Sequence, residues 1–157
     1  MDSKDRQIVC ALQKDGRLTN QDLSKAVNLS PSPCLRRVRA LEDAGIIKGY
    51  TALVDQKTCG LPLTAFIRIR LSPHSKETVA AFEREIARLD EILDCFLMSG
   101  QVDYLLRVVV PDIAAYDAFY QRLISKIEIR DVSSVFAMEQ IKYTTQLPLD
   151  YMVLDKP

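Results

Sequence analysis

The sequence has few of the residues that metal binding or catalysis requires. Its 157 residues include one histidine, His74, and four widely spaced cysteines, Cys10, Cys34, Cys59 and Cys95. A zinc site needs clustered ligands, so we expect no metal site and reduced, mostly buried cysteines. The chain also lacks a phosphate-binding glycine loop and a nucleophile–base pair at a recognisable spacing. We therefore expect neither an enzyme nor a bound cofactor.

Long apolar runs are also absent. No stretch approaches the roughly 20 consecutive apolar residues of a membrane-spanning helix. The first six residues carry four charges and run directly into a helical pattern, which is unlike a secretory signal. We therefore expect a cytoplasmic protein with no membrane partner.

The net charge of the whole chain is zero, but the charge is unevenly distributed. Residues 1–50 contain nine lysines and arginines against six aspartates and glutamates, and the remainder has an acidic excess. A basic front end suits an anionic partner, although so small a difference can arise by chance.

Apolar spacing in the first third of the chain predicts three short helices. The first ends near residue 14, and the second covers residues 20–27 after a cap at Thr19. The third follows a cap at Ser30, and Gly45 ends it. A tight turn joins the second helix to the third.

The predicted third helix has a basic exposed face. Its buried stripe is predicted to be Cys34, Leu35, Val38 and Leu41. At about 100° per residue, the opposite face carries Ser32, Arg36 and Ala40, while Arg37 and Arg39 lie to either side. A helix-turn-helix places such a helix in the major groove, where arginine contacts guanine and phosphate. The alternative is a solvated basic face on a small helical bundle.

The first domain is predicted to end shortly after these helices. Residues 46–55 are rich in β-branched residues around a central turn and predict a short hairpin, or wing. Residues 59–62 contain a glycine and a proline that break the pattern. We therefore predict a DNA-binding domain over residues 1–60 and a second domain over residues 61–157.

The second domain alternates strands and helices. Two helices follow predicted caps at Ser75 and Asp112, and strands are predicted over residues 63–71, 92–98, 104–110 and 131–142. The inward stripe of the later helix is predicted to be Ile113, Tyr116, Tyr120, Leu123 and Ile124. The order βαββαβ predicts a ferredoxin-like domain, so the fold class of the whole chain is α+β.

A ferredoxin-like sheet carries helices on one face only. The helix-free face would bear a mixture of apolar and charged residues, namely Phe66, Arg68, Arg70 and Arg107. This composition favours an interface between subunits, and the alternative is a face that is simply solvated.

Short motifs occur in a recognisable order along the chain. They cover residues 29–34, 36–42, 45–47 and 49–50 in the first domain, and residues 99–100, 103–106 and 111–112 in the second. Together they resemble the leucine-responsive regulatory protein/AsnC (Lrp/AsnC) family of transcription regulators. The resemblance implies a winged helix-turn-helix, dimers that often assemble into octamers, and an amino-acid effector bound between sensor domains.

The resemblance also implies roles for two groups of residues. Contacts to double-stranded DNA in the nucleoid would come from Asn20, Gln21, Lys25, Ser30, Ser32, Pro33, Arg36, Arg37 and Arg39. The effector would be bound by Leu97, Ser99, Gly100, Gln101, Asp103, Ile113, Phe136, Ala137 and Met138. In this group Gly100 would let backbone amides approach an α-carboxylate, and Asp103 would pair with an α-ammonium.

Two points of this assignment stay open at the sequence level. Gln101 stands where relatives often carry an acid, and without the resemblance residues 99–103 would be an ordinary hairpin turn.

We expect a sequence-specific transcription regulator that responds to an amino acid. An architectural DNA-binding protein of low specificity shares every front-end feature, and a small enzyme is the other alternative, because fold alone does not fix function.

Overall fold

The computed structural model of the chain describes residues 1–72 and 75–151. His74 and the last six residues, 152–157, lie outside the described residues. The described chain forms two compact units, Met1–Leu53 with residues 142–151, and Val54–Ile141. The division of the chain at residue 60 stays a prediction.

The first unit is built from three helices, as the apolar spacing predicts. They are α1 (Ser3–Lys14), α2 (Asn20–Ala26) and α3 (Pro31–Asp43). The side chain of Asp2 caps α1 and that of Thr19 caps α2, each accepting a hydrogen bond from a first-turn amide. Gly45 ends α3 in the left-handed region, at φ +68°, where the lack of a side chain removes the steric cost.

The core of this unit lies where the three helices meet. Its fully buried residues are Ile8, Leu23, Val27, Cys34 and Leu41. One prediction about α3 is wrong, because Leu35 is 38% exposed rather than inward. Ser30 is the N-cap residue of α3, as predicted, but its side chain accepts no hydrogen bond from the helix.

The exposure of Leu35 has a simple geometric cause. On a helical wheel at about 100° per residue, Cys34 and Leu41 lie on one side of Val38 and Leu35 lies on the other. Since Cys34 and Leu41 are the buried members, the centre of the buried arc is displaced from Val38 toward them. Leu35 therefore falls outside the arc.

The predicted hairpin over residues 46–55 does not form. None of these residues, all of which the structure describes, belongs to a strand. The segment is held instead by a side chain, since the Tyr50 hydroxyl donates a 2.9 Å hydrogen bond to the Glu42 carboxylate. An isolated, exposed two-stranded ribbon is only marginally stable, because its hydrogen bonds contribute too little free energy to order the segment.

The second unit is a four-stranded antiparallel sheet with two helices, in the predicted βαββαβ order. Its elements are β1 (Leu63–Leu71), α4 (Lys76–Ile86), β2 (Ile92–Leu97), β3 (Tyr104–Val110), α5 (Ile113–Lys126) and β4 (Ile129–Phe136). The strands lie in the order β2-β3-β1-β4, so the first and third strands are central. With the helical first unit, the fold is α+β, as predicted.

The core of the second unit lies between one sheet face and the two helices. The sheet contributes Ala65, Ile67, Ile69, Leu106 and Val108, and the helices contribute Phe82, Tyr116, Phe119 and Leu123. The prediction that Ile113 points inward is wrong, because it is 58% exposed, and the sequence pattern missed Phe119, which is fully buried. On the helical wheel, Ile113 lies about 60° from Tyr116 on one side, and Phe119 lies about 60° from it on the other side. The buried arc of α5 includes Phe119 and leaves Ile113 outside.

The last strand is shorter than predicted and lies slightly earlier in the chain. It ends at Phe136, which pairs with Ala65, rather than at residue 142. Since β1 begins at Leu63, which lies opposite residue 138, later residues have no strand of the sheet left to pair with. The later residues 142–151 belong to the first unit, where Gln13 on α1 accepts a 2.7 Å hydrogen bond from the Leu147 amide.

The helix-free sheet face has the mixed composition that the alternation predicts. Phe66 pairs with Arg107 on one side and with Val135 on the other, and Arg68 pairs with Leu105. Phe96, next to Leu105 on β2, adds an aromatic ring that is 54% exposed. The face is therefore apolar at several points and charged between them.

Other sequence expectations can be compared with the structure. All four cysteines are free thiols, but Cys59 and Cys95 are exposed, so the expectation of mostly buried cysteines is wrong. Across residues 1–72 and 75–151, no helix has the length and apolarity that crossing a bilayer demands. Within the same residues, no three histidine, cysteine or acidic side chains come together as metal ligands would.

Candidate nucleic-acid interface and effector site

The candidate recognition helix of the first unit is α3. Ser32, Arg36 and Arg39 are exposed on it, and Pro33 is partly exposed near its first turn. These positions lie on the side of the helix opposite the buried Cys34 and Leu41. The exposed side therefore combines two guanidinium groups with a hydroxyl, all of which can bind base edges or phosphates.

The turn between α2 and α3 has the tight geometry of a helix-turn-helix. Asn28 adopts a left-handed conformation at φ 53°, which asparagine tolerates better than most residues. The Leu29 amide then donates to the Ser24 carbonyl at 2.9 Å, and Lys4 on α1 donates to the Val27 carbonyl at 2.6 Å. These bonds satisfy the last carbonyls of α2 and fix its end.

The predicted DNA-contacting residues of α2 have two different environments. Asn20 donates from its side-chain amide to the Pro31 carbonyl at 2.9 Å, so it joins the start of α2 to the start of α3. Gln21 and Lys25 are exposed. Both are free to face a nucleic acid from the helix that precedes the recognition helix.

Arg37 differs from its neighbours on α3. Its guanidinium nitrogen donates to Asp2 and to Asp5, each at 2.7 Å, and its side chain is only 33% exposed. The displaced buried arc of α3 explains this position, because Arg37 lies on the same side of Val38 as Cys34 and Leu41. The resemblance implied a DNA contact for Arg37, but the structure places it in an ion-pair network within the first unit.

The predicted effector turn joins β2 to β3. The Met98 amide donates to the Asp103 carbonyl at 2.8 Å and closes the turn. Gly100 has φ +117°, a conformation that residues with side chains rarely adopt. Ser99, Gly100 and Gln101 are exposed, so the turn is open to solvent.

Asp103 also has a structural role in this turn. Its carboxylate accepts a 2.8 Å hydrogen bond from the Leu71 amide, and its own amide donates to the Ile69 carbonyl at 2.9 Å. The residue therefore fixes the turn against the last residues of β1. If the Asp103 carboxylate binds the α-ammonium of an effector, it must do so while it accepts the hydrogen bond from the Leu71 amide.

Leu97, the last residue of β2, pairs with Tyr104 beside the turn and is exposed. The other four predicted effector residues lie elsewhere on the sheet. Phe136 ends β4, Ala137 and Met138 follow it, and Ile113 begins α5, directly after the end of β3. Met138 is 96% exposed. The Phe136 ring packs edge-to-face against Tyr116 at a centroid distance of 4.9 Å. This end of the sheet is therefore an exposed apolar cluster backed by aromatic rings.

The two groups of predicted effector residues are at opposite ends of the sheet. Phe136 pairs with Ala65 near the start of β1, whereas Asp103 is bonded to Ile69 and Leu71 near its end. At about 3.3 Å per residue, these positions are at least roughly 13 Å apart along the strand. One chain therefore does not bring the glycine turn and the apolar cluster into one pocket.

Two surface depressions of the second unit do not coincide with these groups. One has a volume of about 310 Å³ and is lined by eight residues between Ile86 and Cys95. The next, of about 180 Å³, lies between α4 and α5. Neither is lined by a predicted effector residue.

Comparison with known proteins gives two family matches along the chain. Residues 1–48 match a model described as winged helix-turn-helix DNA-binding. Residues 64–147 match a model described as the Lrp/AsnC ligand binding domain. The first match contains α1 to α3, and the second contains the sheet except for Leu63.

Curated relatives align over nearly their full length. The DNA-binding transcriptional activator DecR of Escherichia coli is 45% identical over 96% of this chain and 99% of its own. The leucine-responsive regulatory protein of E. coli is 40% identical over 94% of this chain and 90% of its own. Both relatives are transcription regulators, which bears out the expectation that the chain is not an enzyme.

Solved structures agree with this fold. An AsnC family transcriptional regulator from Agrobacterium tumefaciens has 54% identity, covers 98% of this chain and 100% of its own, and superposes with a TM-score of 0.94. A Neisseria meningitidis transcriptional regulator, solved as a complex with L-Met, has 41% identity, covers 98% of this chain and 99% of its own, and gives a TM-score of 0.93. The chain is therefore a member of the Lrp/AsnC family, a DNA-binding transcription regulator with a ligand-binding domain.

Proposed function

We propose that this regulator binds DNA sequence-specifically through α3 and that an amino acid bound between copies of the second unit modulates the binding. The observation that carries the proposal is the exposed face of Ser32, Arg36 and Arg39 on a helix held by a tight turn. Arginine on such a face suits bidentate contact with guanine in the major groove. Because the DNA of a cell is its partner, the protein is expected in the cytoplasm, associated with the nucleoid.

A symmetric assembly is part of the proposal. The helix-free sheet face exposes Phe96 and Val135 beside charged groups, and one copy leaves these apolar side chains in water. Packing two such faces gives a homodimer, and closed symmetry allows further assembly, as in an octamer. Two recognition helices one turn of DNA apart would then read an imperfect palindrome.

The proposed effector site lies where two copies meet. The glycine turn offers backbone amides for a carboxylate, and the cluster of Ile113, Phe136 and Met138 offers apolar walls. Because these groups lie at opposite ends of one sheet, a pocket containing both takes one group from each of two chains. Ligand binding would then change how the chains associate, and with that the spacing of the DNA-binding units.

The chemistry of the apolar cluster favours an amino acid with an extended apolar side chain. Thioether sulfur packs well at aromatic ring edges, and the cluster contains Phe136 against Tyr116. The N. meningitidis relative was solved with L-Met, which makes methionine the first ligand to test. A thermal-shift screen of the twenty amino acids tests this directly, since a ligand that binds only the folded state raises Tm. No shift with any of them would reject an amino-acid effector.

An architectural protein of low specificity is the alternative function. It would use the same basic α3 without discriminating among sequences. Selection of binding sites from random DNA, followed by affinity measurement at a fixed salt concentration, separates the two functions. A dedicated regulator enriches a palindrome and prefers it by about a thousandfold or more, whereas an architectural protein enriches nothing.

A further inference from the structure

The structure ties the middle of the recognition helix to the first residues of the chain. One terminal nitrogen of Arg37, on α3, donates to Asp2 Oδ2 and to Asp5 Oδ1, each at 2.7 Å. Hydrogen bonds between charged partners at this distance are among the stronger ones that proteins form. The Asp5 side chain is mostly buried, which shields its pair with Arg37 from solvent better than a surface ion pair.

The two aspartates are themselves locked together. The Asp5 amide donates to Asp2 Oδ1 at 2.9 Å, and the Asp2 amide donates to Asp5 Oδ2 at 3.0 Å. This reciprocal pair is the capping box that starts α1. The remaining carboxylate oxygen of each aspartate accepts from Arg37, so Asp2, Asp5 and Arg37 form one closed network between α1 and α3.

The network is electrostatically consistent. The Asp5 amide and the Arg37 guanidinium lower the pKa of Asp2, and the two carboxylates raise the pKa of Arg37. Both pKa shifts favour the charged forms of Asp2 and Arg37. Two carboxylates share one guanidinium, so Arg37 neutralises part of an acidic site that lies beside the helix expected to meet DNA phosphates.

We infer that Arg37 is a positioning residue, which holds α3 at a fixed orientation to α1, and that it makes no phosphate contact itself. The inference rests on the proposed DNA-binding role of α3. Moving Arg37 to a phosphate would break both 2.7 Å bonds and leave Asp2 and Asp5 unneutralised near the DNA. Arg36 and Arg39, on the exposed side of the helix, are the arginines of α3 that contact the DNA.

The salt dependence of DNA binding distinguishes these two roles. Each phosphate contact contributes about −0.9 to the slope of log K against log salt concentration. Arg37→Ala is expected to weaken binding to a selected palindrome by about tenfold without changing the slope, because a charged hydrogen-bond network is lost from the protein rather than from the interface. Arg39→Ala is the matched control, because Arg39 lies on the exposed side of the same helix. It is expected to reduce the steepness of the slope by about one unit.

A second variant tests the network from its other end. Asp5→Asn keeps an acceptor for the capping box but removes a negative charge from the protein. Simple charge repulsion predicts tighter DNA binding for this variant, whereas the positioning role predicts weaker binding. The double variant Asp5→Asn with Arg37→Ala should lose little more than either single variant, because both break the same network.

Circular dichroism and thermal unfolding of each variant establish that it is folded, and Arg37→Lys provides a milder version if Arg37→Ala is not. The inference is overturned if substitution of Arg37 reduces the slope by about one unit while Asp5→Asn binds as tightly as the unmodified protein or more tightly. If the unmodified protein itself shows no preference for any sequence, the proposed function fails first, and that result is visible before any variant is made.

Discussion

Three neighbouring arginines on α3 have different surroundings, although the sequence presents them as one basic run. Arg36 and Arg39 are exposed, whereas Arg37 is paired with two aspartates of the first turn. Helical periodicity predicted the exposure of Arg36 and Arg39. It did not predict the Arg37 pairs, because they depend on which side of Val38 packs against α1. The spacing of Asp2 and Asp5, three residues apart at the start of α1, was the feature of the sequence that could have indicated these pairs.

Arg36 is expected to be the main base-reading residue. Arg36→Ala should weaken binding to the selected palindrome by about 1–3 kcal/mol and relax the sequence preference, if the side chain makes a bidentate contact to guanine. Affinities for the palindrome and for random DNA, measured at one salt concentration, provide the test. Equal losses on both DNAs would assign Arg36 to a phosphate.

Asp103 is expected to bind the effector and also to stabilise the fold. Because its carboxylate accepts a hydrogen bond from the Leu71 amide, Asp103→Ala should cost about 1–3 kcal/mol of stability in addition to the effector response. Asp103→Asn keeps an acceptor for that amide and removes the charge, so it should abolish the effector response with DNA binding nearly intact.

Calorimetry with the amino acid found by the screen decides the role of Asp103. Unchanged ligand affinity in Asp103→Asn would place the α-ammonium site elsewhere. Loss of ligand-free DNA binding in the same variant would make the residue purely structural.

At the scale of elements, the sequence predicted well where a local signal exists. Helix caps, glycine residues at helix ends and strict alternation predicted the bounds of α1 to α3, β1 and β3 closely. The errors fall where the outcome depends on a distant partner. The predicted end of the last strand at residue 142 was wrong because its partner β1 begins at Leu63, and residues 46–55 have no strand to pair with. The alternation of apolar and polar residues in one strand does not indicate how long its partner strand is.

The helix caps provide a matched stability test. The Ser75 side chain accepts a 3.2 Å hydrogen bond from the Thr78 amide at the start of α4, whereas the Ser30 side chain makes no such bond at the start of α3. Ser75→Ala should therefore destabilise the protein by about 1 kcal/mol, and Ser30→Ala should change its stability by far less. Chemical denaturation of both variants measures the difference. Equal losses would mean that Ser30 caps its helix in solution.

At the scale of the whole molecule, the exposed sheet face is expected to be an interface between copies. Phe96→Asp should place a charge in that interface and shift the protein toward monomer in sedimentation at micromolar concentration. Ala80→Asp, at an exposed position on α4 behind the opposite face, is the control and should leave the assembly unchanged. A stable, DNA-binding monomer of the unmodified protein would rule out the interface.

The effector site could be predicted from the sequence only as a set of residues, because their separation is a property of the sheet. Periodicity placed the glycine turn after β2 and the apolar residues near α5 and β4. Antiparallel pairing then puts Asp103 and Phe136 at opposite ends of β1. The requirement for two copies follows from this geometry, which no local pattern encodes.

The most direct test of the central claim is the DNA affinity of the unmodified protein with and without its effector. The measurement compares the selected palindrome with a scrambled duplex at one salt concentration, in the presence and absence of methionine and of any other amino acid that raises Tm. We predict a preference of about a thousandfold or more for the palindrome, and a change of about 5- to 150-fold when the amino acid is added. Equal affinity for both duplexes, unaffected by any amino acid, would contradict the account.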